Sequence, residues 1–173
     1  MKLKKSFAYA LRHSLPIFAG FIPLGLAYGV LMQNAGYNAL WTGAICLFPF
    51  SGSLQFLMIS FFTGSVSLVT VAVMALLVNS RHIFYGISFI EKFRRFGAWK
   101  YYLIYTLCDE NYSLHCSVKV DEDMDERWTY VFTATLVWLY WLIPCVLGGL
   151  IGSLISFDMT GIDFALTALF VTI

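Results

Sequence analysis

The sequence predicts an all-α fold, a polytopic transmembrane helical bundle that includes broken or re-entrant helices. Of the 173 residues, 60% are hydrophobic and only 12% are charged, against roughly 45–50% and 25% in soluble domains. The stretch between Arg12 and Arg81 contains no Asp, Glu, Lys or Arg at all. A soluble domain of this size leaves much of its surface in water and could not hide such a stretch. The chain is therefore predicted to be a membrane protein.

The composition also excludes several classes of protein. A net charge of +1 provides no basic field for nucleic acid, so we expect no nucleic-acid partner. The long uncharged runs are typical of membrane helices rather than of the strands of an outer-membrane barrel. The cysteines show no CxxC spacing, which argues against a disulfide framework or a zinc site. We expect neither a metal nor a cofactor.

Six apolar runs follow one another, at 14–33, 39–62, 66–90, 101–118, 128–154 and 162–173. A spanning helix needs about 20 mostly apolar residues, so the last run is too short to cross. The first run follows Lys2, Lys4, Lys5 and Arg12. It is too long for a signal peptide and lacks a small-residue cleavage site, which favours a retained anchor helix.

The first run carries prolines and glycines inside it, at Pro16, Gly20, Pro23, Gly25 and Gly29. The GxxxG pair at 25–29 favours close packing against another helix, because small residues let backbones approach in lipid. A broken helix that lines a cavity is the alternative. We therefore predict that this segment packs against another helix.

The basic loops predict an orientation. The N-terminus and the 91–100 loop carry four Lys or Arg each, which predicts that both lie on the cytoplasmic side of the membrane. That requires an even number of crossings between them, yet three runs intervene. The run at 39–62 is the candidate for a re-entrant hairpin, because Pro49 and Gly52 interrupt it. The acidic 119–127 loop is then predicted to lie outside.

Three polar clusters occur where a membrane protein should be apolar. A charge at membrane depth costs several kcal/mol, by rough estimate, and faces a cavity or an opposite charge. Candidate substrate-binding residues are Ser51, Gly52, Ser53, Gln55, Asn79 and Arg81. Candidates for a proton relay or an ion pair are His82, Asp109 and Glu110.

The acidic pair has more than one interpretation. On one continuous helix, Asp109 and Glu110 would share a stripe with Thr106, Ser113 and Ser117. An ion pair with Arg81 could be purely structural, or Arg81 could reach toward water, or the groups could bind substrate. No HExxH or GxSxG motif occurs, so we expect no enzymatic activity.

These residues also carry a family resemblance. The matching segments are LPI at 15–17, PLGLAYG at 23–29, SGSLQF at 51–56, NSRHIFYG at 79–86, CDENY at 108–112 and GIDFALTALF at 161–170. In this order, along nearly the whole chain, they resemble the AzlC family, the large subunit of bacterial branched-chain amino acid exporters.

The resemblance implies a multi-pass permease of the bacterial inner (cytoplasmic) membrane that exports valine, leucine, isoleucine or close analogues. It also implies a small hydrophobic partner subunit of the AzlD type. Two departures stand out: Cys108 replaces a common Thr, and the family continues with further membrane segments after Phe170. Residues 1–173 are thus expected to form a single membrane-embedded domain, C-terminally truncated relative to the family. A non-transporting or truncated scaffold subunit is the alternative function.

Overall fold

The computed structural model describes residues 2–154, and every regular element within this range is an α-helix. The predicted sixth run at 162–173 lies outside the described residues. The helices are α1 (Lys2–Asn34), α2 (Ala39–Leu47), α3 (Gly52–Thr63), α4 (Leu68–Arg94), α5 (Trp99–Tyr105), α6 (Asp109–Ser117) and α7 (Glu126–Leu154).

Three of these helices, α1, α4 and α7, are long and apolar enough to cross a membrane. They confirm the first, third and fifth predicted runs. Helix α1 continues without a break through Pro16 and Pro23, so the alternative of a broken first helix is wrong. Neighbouring helices can compensate in a membrane for the backbone bonds that proline removes.

The run at 39–62 is interrupted where Pro49 predicts, because α2 ends at Leu47 and α3 begins at Gly52. The Ser51 amide donates to the Pro49 carbonyl at 2.7 Å and closes a tight turn. Tyr37, just before α2, contacts Phe62, near the end of α3, with ring centroids 4.8 Å apart. Both ends of this segment therefore meet, and α2 and α3 form a hairpin.

A second hairpin interrupts the run at 101–118, for which the sequence predicts one helix. That prediction is wrong: α5 ends at Tyr105 and α6 begins at Asp109. The Thr106 hydroxyl donates to the Tyr102 carbonyl at 2.9 Å, and the Asn111 side chain donates to the Thr106 carbonyl at 2.6 Å. The Asn111 side chain thus gives the Thr106 carbonyl a hydrogen-bond partner at the break.

The ends of the α5–α6 hairpin lie beside the beginnings of α7 and α1. Trp99, at the start of α5, packs on Trp128 of α7 with ring centroids 5.1 Å apart. Ser117, at the end of α6, lies 3.1 Å from His13 of α1. The segment therefore returns to the level from which it started.

The chain divides into two compact units, which share all three long helices. Unit 1 comprises residues 1–19 and 80–140, and contains the α5–α6 hairpin. Unit 2 comprises residues 20–79 and, within the described range, residues 141–154, and contains the α2–α3 hairpin. Each unit thus consists of one hairpin together with parts of α1, α4 and α7.

The core of unit 1 is aromatic. Phe89 and Phe93 of α4 pack on Tyr130 of α7, and the ring of His115 from α6 lies against all three. His115 is 2% exposed. Large rings supply much buried area and prefer such edge-on contacts, so the cluster holds α4, α6 and α7 together.

All Lys and Arg residues of the described chain lie in unit 1. Lys5 forms an ion pair with Asp123, and Lys92 and Arg95 each approach Glu126 to 3.8 Å. The hydrogen bond from Lys5 lowers the pKa of Asp123 below its usual value. The N-terminus, the 91–100 loop and the acidic 119–127 loop therefore lie together.

The prediction that the acidic loop lies on the opposite side from the two basic segments is consequently wrong. The positive-inside rule counts Lys and Arg, and acidic residues contribute little to it. The acidic loop itself carries Lys119 and Arg127, which fit the same side as the other basic residues. Its carboxylates neutralise neighbouring cations rather than mark an outer face.

Within unit 2, α1 and α7 approach until their backbones touch. A Cβ atom on Gly29 would lie 2.1 Å from the Cys145 carbonyl oxygen and 2.4 Å from the Gly149 nitrogen. A Cβ atom on Gly148 would lie 2.3 Å from the Leu26 carbonyl oxygen. The packing interpretation of the GxxxG segment is thereby confirmed.

We predict that single cysteines introduced at Asp123 and Arg94, in a background without native cysteines, react with impermeant maleimide from the same side of the membrane. The ion pairs around the acidic loop bring both positions to one level. A cysteine at Val137, which is fully buried, is the control and should react only after denaturation. Labelling of Asp123 and Arg94 from opposite sides would contradict this arrangement.

A second prediction concerns the contact of α1 with α7. Gly29→Ala should lower the free energy of unfolding by about 1–3 kcal/mol or more, because its methyl group overlaps backbone atoms of α7. Gly20→Ala is the matched control, since a Cβ there meets nothing within 4 Å. It should not destabilise the protein, because alanine is about 1 kcal/mol more favourable than glycine inside a helix. Thermal unfolding in detergent measures both, and equal melting temperatures would refute the close contact.

Candidate functional site

An ion pair occupies the beginning of α6. The Arg81 guanidinium of α4 lies 2.9 Å (Nη2 to Oδ2) from the carboxylate of Asp109, the first residue of α6. The Tyr85 hydroxyl donates to Oδ1 of the same carboxylate at 2.5 Å. Both oxygens of Asp109 thus have a partner. The two side chains are partly exposed, 21% for Arg81 and 37% for Asp109.

The break before α6 explains why a carboxylate is stable here. Cys108 is extended and precedes the helix, so Asp109 and Glu110 fall in its first turn. Carboxylates near a helix N-terminus are favoured by the helix dipole. The predicted stripe on a continuous helix is wrong, since Thr106 lies in the break rather than on α6.

Neighbouring side chains complete this site, which we call the α6 site. Glu110 is half-buried and follows Asp109 in the first turn of α6. Tyr85 stacks on Tyr112 with ring centroids 4.4 Å apart, and the ring of His82 meets Tyr85 edge-on at 5.7 Å. The sequence analysis missed Tyr85, although it follows Arg81 by one helical turn and therefore shares its face.

The second polar cluster lies at the break before α3, in unit 2. Gln55 is fully buried: its Nε2 donates to the Pro49 carbonyl at 2.8 Å, and its Oε1 accepts from the Trp141 indole at 2.7 Å. The Cys46 thiol also points at this oxygen, at 3.6 Å. The side chain thus connects α2, the break, α3 and α7.

The first turn of α3 lies in an aromatic environment. Gly52 faces the Trp141 indole, to which a Cβ there would come within 3.6 Å. Tyr28 of α1 packs against Trp141 and Phe56. Among the described residues, the buried hydroxyls of Tyr28 and Ser51 have no hydrogen-bond partner. No local sequence pattern indicates Trp141, because it is distant along the chain from the residues that it contacts.

This second cluster, the α3 site, has the chemistry of an anion site. The first backbone N–H groups of a helix have no partner within the helix and favour negative charge. Ser51 precedes α3 but makes no side-chain capping bond, so its hydroxyl is available. A carboxylate that reached this turn would find donors and little competing water.

The structure divides the predicted site residues between the two units. Arg81, His82, Asp109 and Glu110 lie together in unit 1 around the α6 site, and Arg81 pairs with Asp109 as proposed. Ser51, Gly52, Ser53 and Gln55 lie together in unit 2 around the α3 site. Asn79 is half-buried on α4 and is the last residue of the first segment of unit 2. No cluster of metal ligands occurs among the described residues.

The fold and these polar groups define a polytopic helical membrane protein with two broken hairpins. The family described as AzlC protein matches residues 16–155. The chain therefore belongs to the AzlC family.

Relatives support the same assignment. The chain is 38% identical to "Branched-chain amino acid transport protein AzlC" of Bacillus subtilis, over 97% of this chain and 66% of that protein. It is 34% identical to an uncharacterized membrane protein of Haemophilus influenzae, over 98% and 68% of the two chains. It is 25% identical to the inner membrane protein YgaZ of Escherichia coli, over 86% and 62%. The chain thus spans about two thirds of these relatives, and no solved structure matches it.

We predict that Arg81→Gln lowers the free energy of unfolding by about 1–3 kcal/mol, because Asp109 then keeps only the Tyr85 hydrogen bond. The double variant with Asp109→Asn should recover most of the loss. Lys5→Gln with Asp123→Asn is the matched control at an exposed pair, where solvent screening should leave the free energy of unfolding unchanged. Additive effects of the two changes at Arg81 and Asp109 would show that the pair is not coupled.

Proposed function

We propose that the chain is a transporter subunit that exports branched-chain amino acids such as valine, leucine or isoleucine. The observation that carries the proposal is the Arg81–Asp109 ion pair at the break before α6. A zwitterionic amino acid carries a carboxylate and an ammonium group, and each needs a counter-charge in a low-dielectric site. Unit 1 supplies both signs within one contact.

The resting ion pair suggests how the α6 site works. Arriving substrate competes for the pair, so that Arg81 meets the carboxylate and Asp109 meets the ammonium group. The partial exposure of both side chains supports such access. Glu110 follows Asp109 along α6, and the ring of His82 meets Tyr85, which donates to Asp109; both residues therefore remain candidates for a proton relay.

The α3 site supports a second contact along the transport route. The dipole at the N-terminus of α3 and the unpartnered hydroxyls of Ser51 and Tyr28 suit a carboxylate. The surrounding rings of Trp141 and Phe56 suit an apolar side chain. The name of the Bacillus subtilis relative supports branched-chain amino acids as the class of substrate.

The proposed setting is the bacterial inner membrane, with the N-terminus in the cytoplasm. The gathering of every described Lys and Arg in unit 1 supports this orientation. The family resemblance supports a small hydrophobic partner of the AzlD type. Helix α4 is a surface that suits such a partner, since it carries exposed apolar side chains along its length, among them Leu68, Leu76 and Phe84.

Flux of labelled leucine in proteoliposomes tests the proposal, with and without the partner subunit. The double variant Arg81→Gln with Asp109→Asn should fold like the wild type but transport at least about tenfold more slowly, because no counter-charges remain for the substrate. The control pair Lys5→Gln with Asp123→Asn should leave the flux unchanged.

The outcomes separate the alternatives. Normal flux in the Arg81 and Asp109 double variant would make that pair purely structural. Absence of flux in the wild type with its partner would favour the non-transporting scaffold. Turnover of substrate without translocation would indicate an enzyme instead.

A further inference from the structure

The two hairpins share one construction. A long helix, α1 or α4, leads into a glycine with positive φ, then a short helix, a break and a second short helix. The glycines are Gly36, with φ of 89°, and Gly97, with φ of 62°, and no other described residue has a positive φ. These positions favour glycine because other side chains rarely adopt that conformation.

The hairpins also share a buried amide at the same place. Gln55 lies in the first turn of α3 and Asn111 in the first turn of α6, and both are fully buried. Gln55 donates to the Pro49 carbonyl at 2.8 Å, and Asn111 donates to the Thr106 carbonyl at 2.6 Å. In each hairpin a side-chain amide reaches back across the break to a peptide carbonyl.

We propose that Gln55 and Asn111 are matched positioning residues, which hold the two breaks closed and so fix the first turn of the second short helix. Asn111 then fixes Asp109 opposite Arg81, and Gln55 fixes Ser51 and Gly52 rather than binding substrate. The pairing also makes the two helix–hairpin segments an internal structural repeat. The transport role of these residues rests on the proposed function, whereas their effect on the breaks does not.

At both breaks the side chain of the positioning residue must donate a hydrogen bond. The carbonyls of Pro49 and Thr106 accept hydrogen bonds, so the opposing side chain must carry an N–H or O–H group. A carboxylate has no donor, but a protonated carboxylic acid has one. Replacing the amide by the matching acid therefore makes closure of the break depend on protonation.

Hydrogen exchange by mass spectrometry, on the full chain in detergent, tests the proposal independently of transport. Rates at pH 5 and pH 8 are corrected for intrinsic exchange. Asn111→Asp should exchange like the wild type at pH 5. At pH 8 it should exchange about tenfold faster over residues 106–117, as expected for loss of one buried hydrogen bond. Asn111→Leu should be fast at both pH values.

The other hairpin provides the matched control within the same molecule. Residues 48–63 should not respond to Asn111→Asp, and they alone should respond to Gln55→Glu, which also keeps the test available if one variant fails to fold. Equal exchange in Asn111→Asp and Asn111→Leu at pH 5, or loosening of both hairpins by one change, would overturn the proposal.

Transport gives the second readout. The leucine flux of Asn111→Asp, relative to the wild type at each pH, should fall between pH 5 and pH 8 through a higher KM, because Asp109 is no longer held opposite Arg81. Exchange that follows the proposal without any effect on flux would leave the positioning intact and contradict the proposed function alone.

Discussion

The peptide groups of a broken helix must find hydrogen-bond partners inside the protein, because the hydrocarbon core of a membrane offers none. The architecture of both hairpins depends on this constraint. Gln55 and Asn111 supply the partners at the two breaks, and the chain can then reverse within the bundle. Each break creates the N-terminus of a new helix, where polar and acidic groups are stable.

Electrostatics restricts where charge occurs. The described part of unit 2 contains no charged residue, whereas unit 1 contains every described cation. Most cations lie near the ends of helices, where water hydrates them or acidic side chains pair with them. Arg81 is the exception, and it is stable inside α4 because the break places Asp109 opposite it. Arg81 and Asp109 therefore stabilise each other inside the protein, which is why the pair attracts a functional interpretation.

The sequence predicted one break and missed the other for a physical reason. Pro49 and Gly52 predict the first break, since both residues disfavour the continuation of a helix. The second break at 106–108 contains neither, and its apolar neighbours resemble an ordinary helix. It depends on Thr106 and Asn111 bonding to backbone, an alternative that these residue types offer without requiring it.

By itself the sequence determined that the chain lies in a membrane, that it is helical, and which polar residues are out of place in lipid. These are properties of composition and of segments of about 20 residues, which local hydropathy encodes. Only the tertiary structure decided that the acidic loop forms an ion pair with the basic N-terminus and that Gly29 packs against α7. The same holds for the hydrogen bonds of Gln55 with Trp141 and Pro49. Those contacts join residues from separate helices, and close packing selects them in three dimensions rather than any local pattern along the chain.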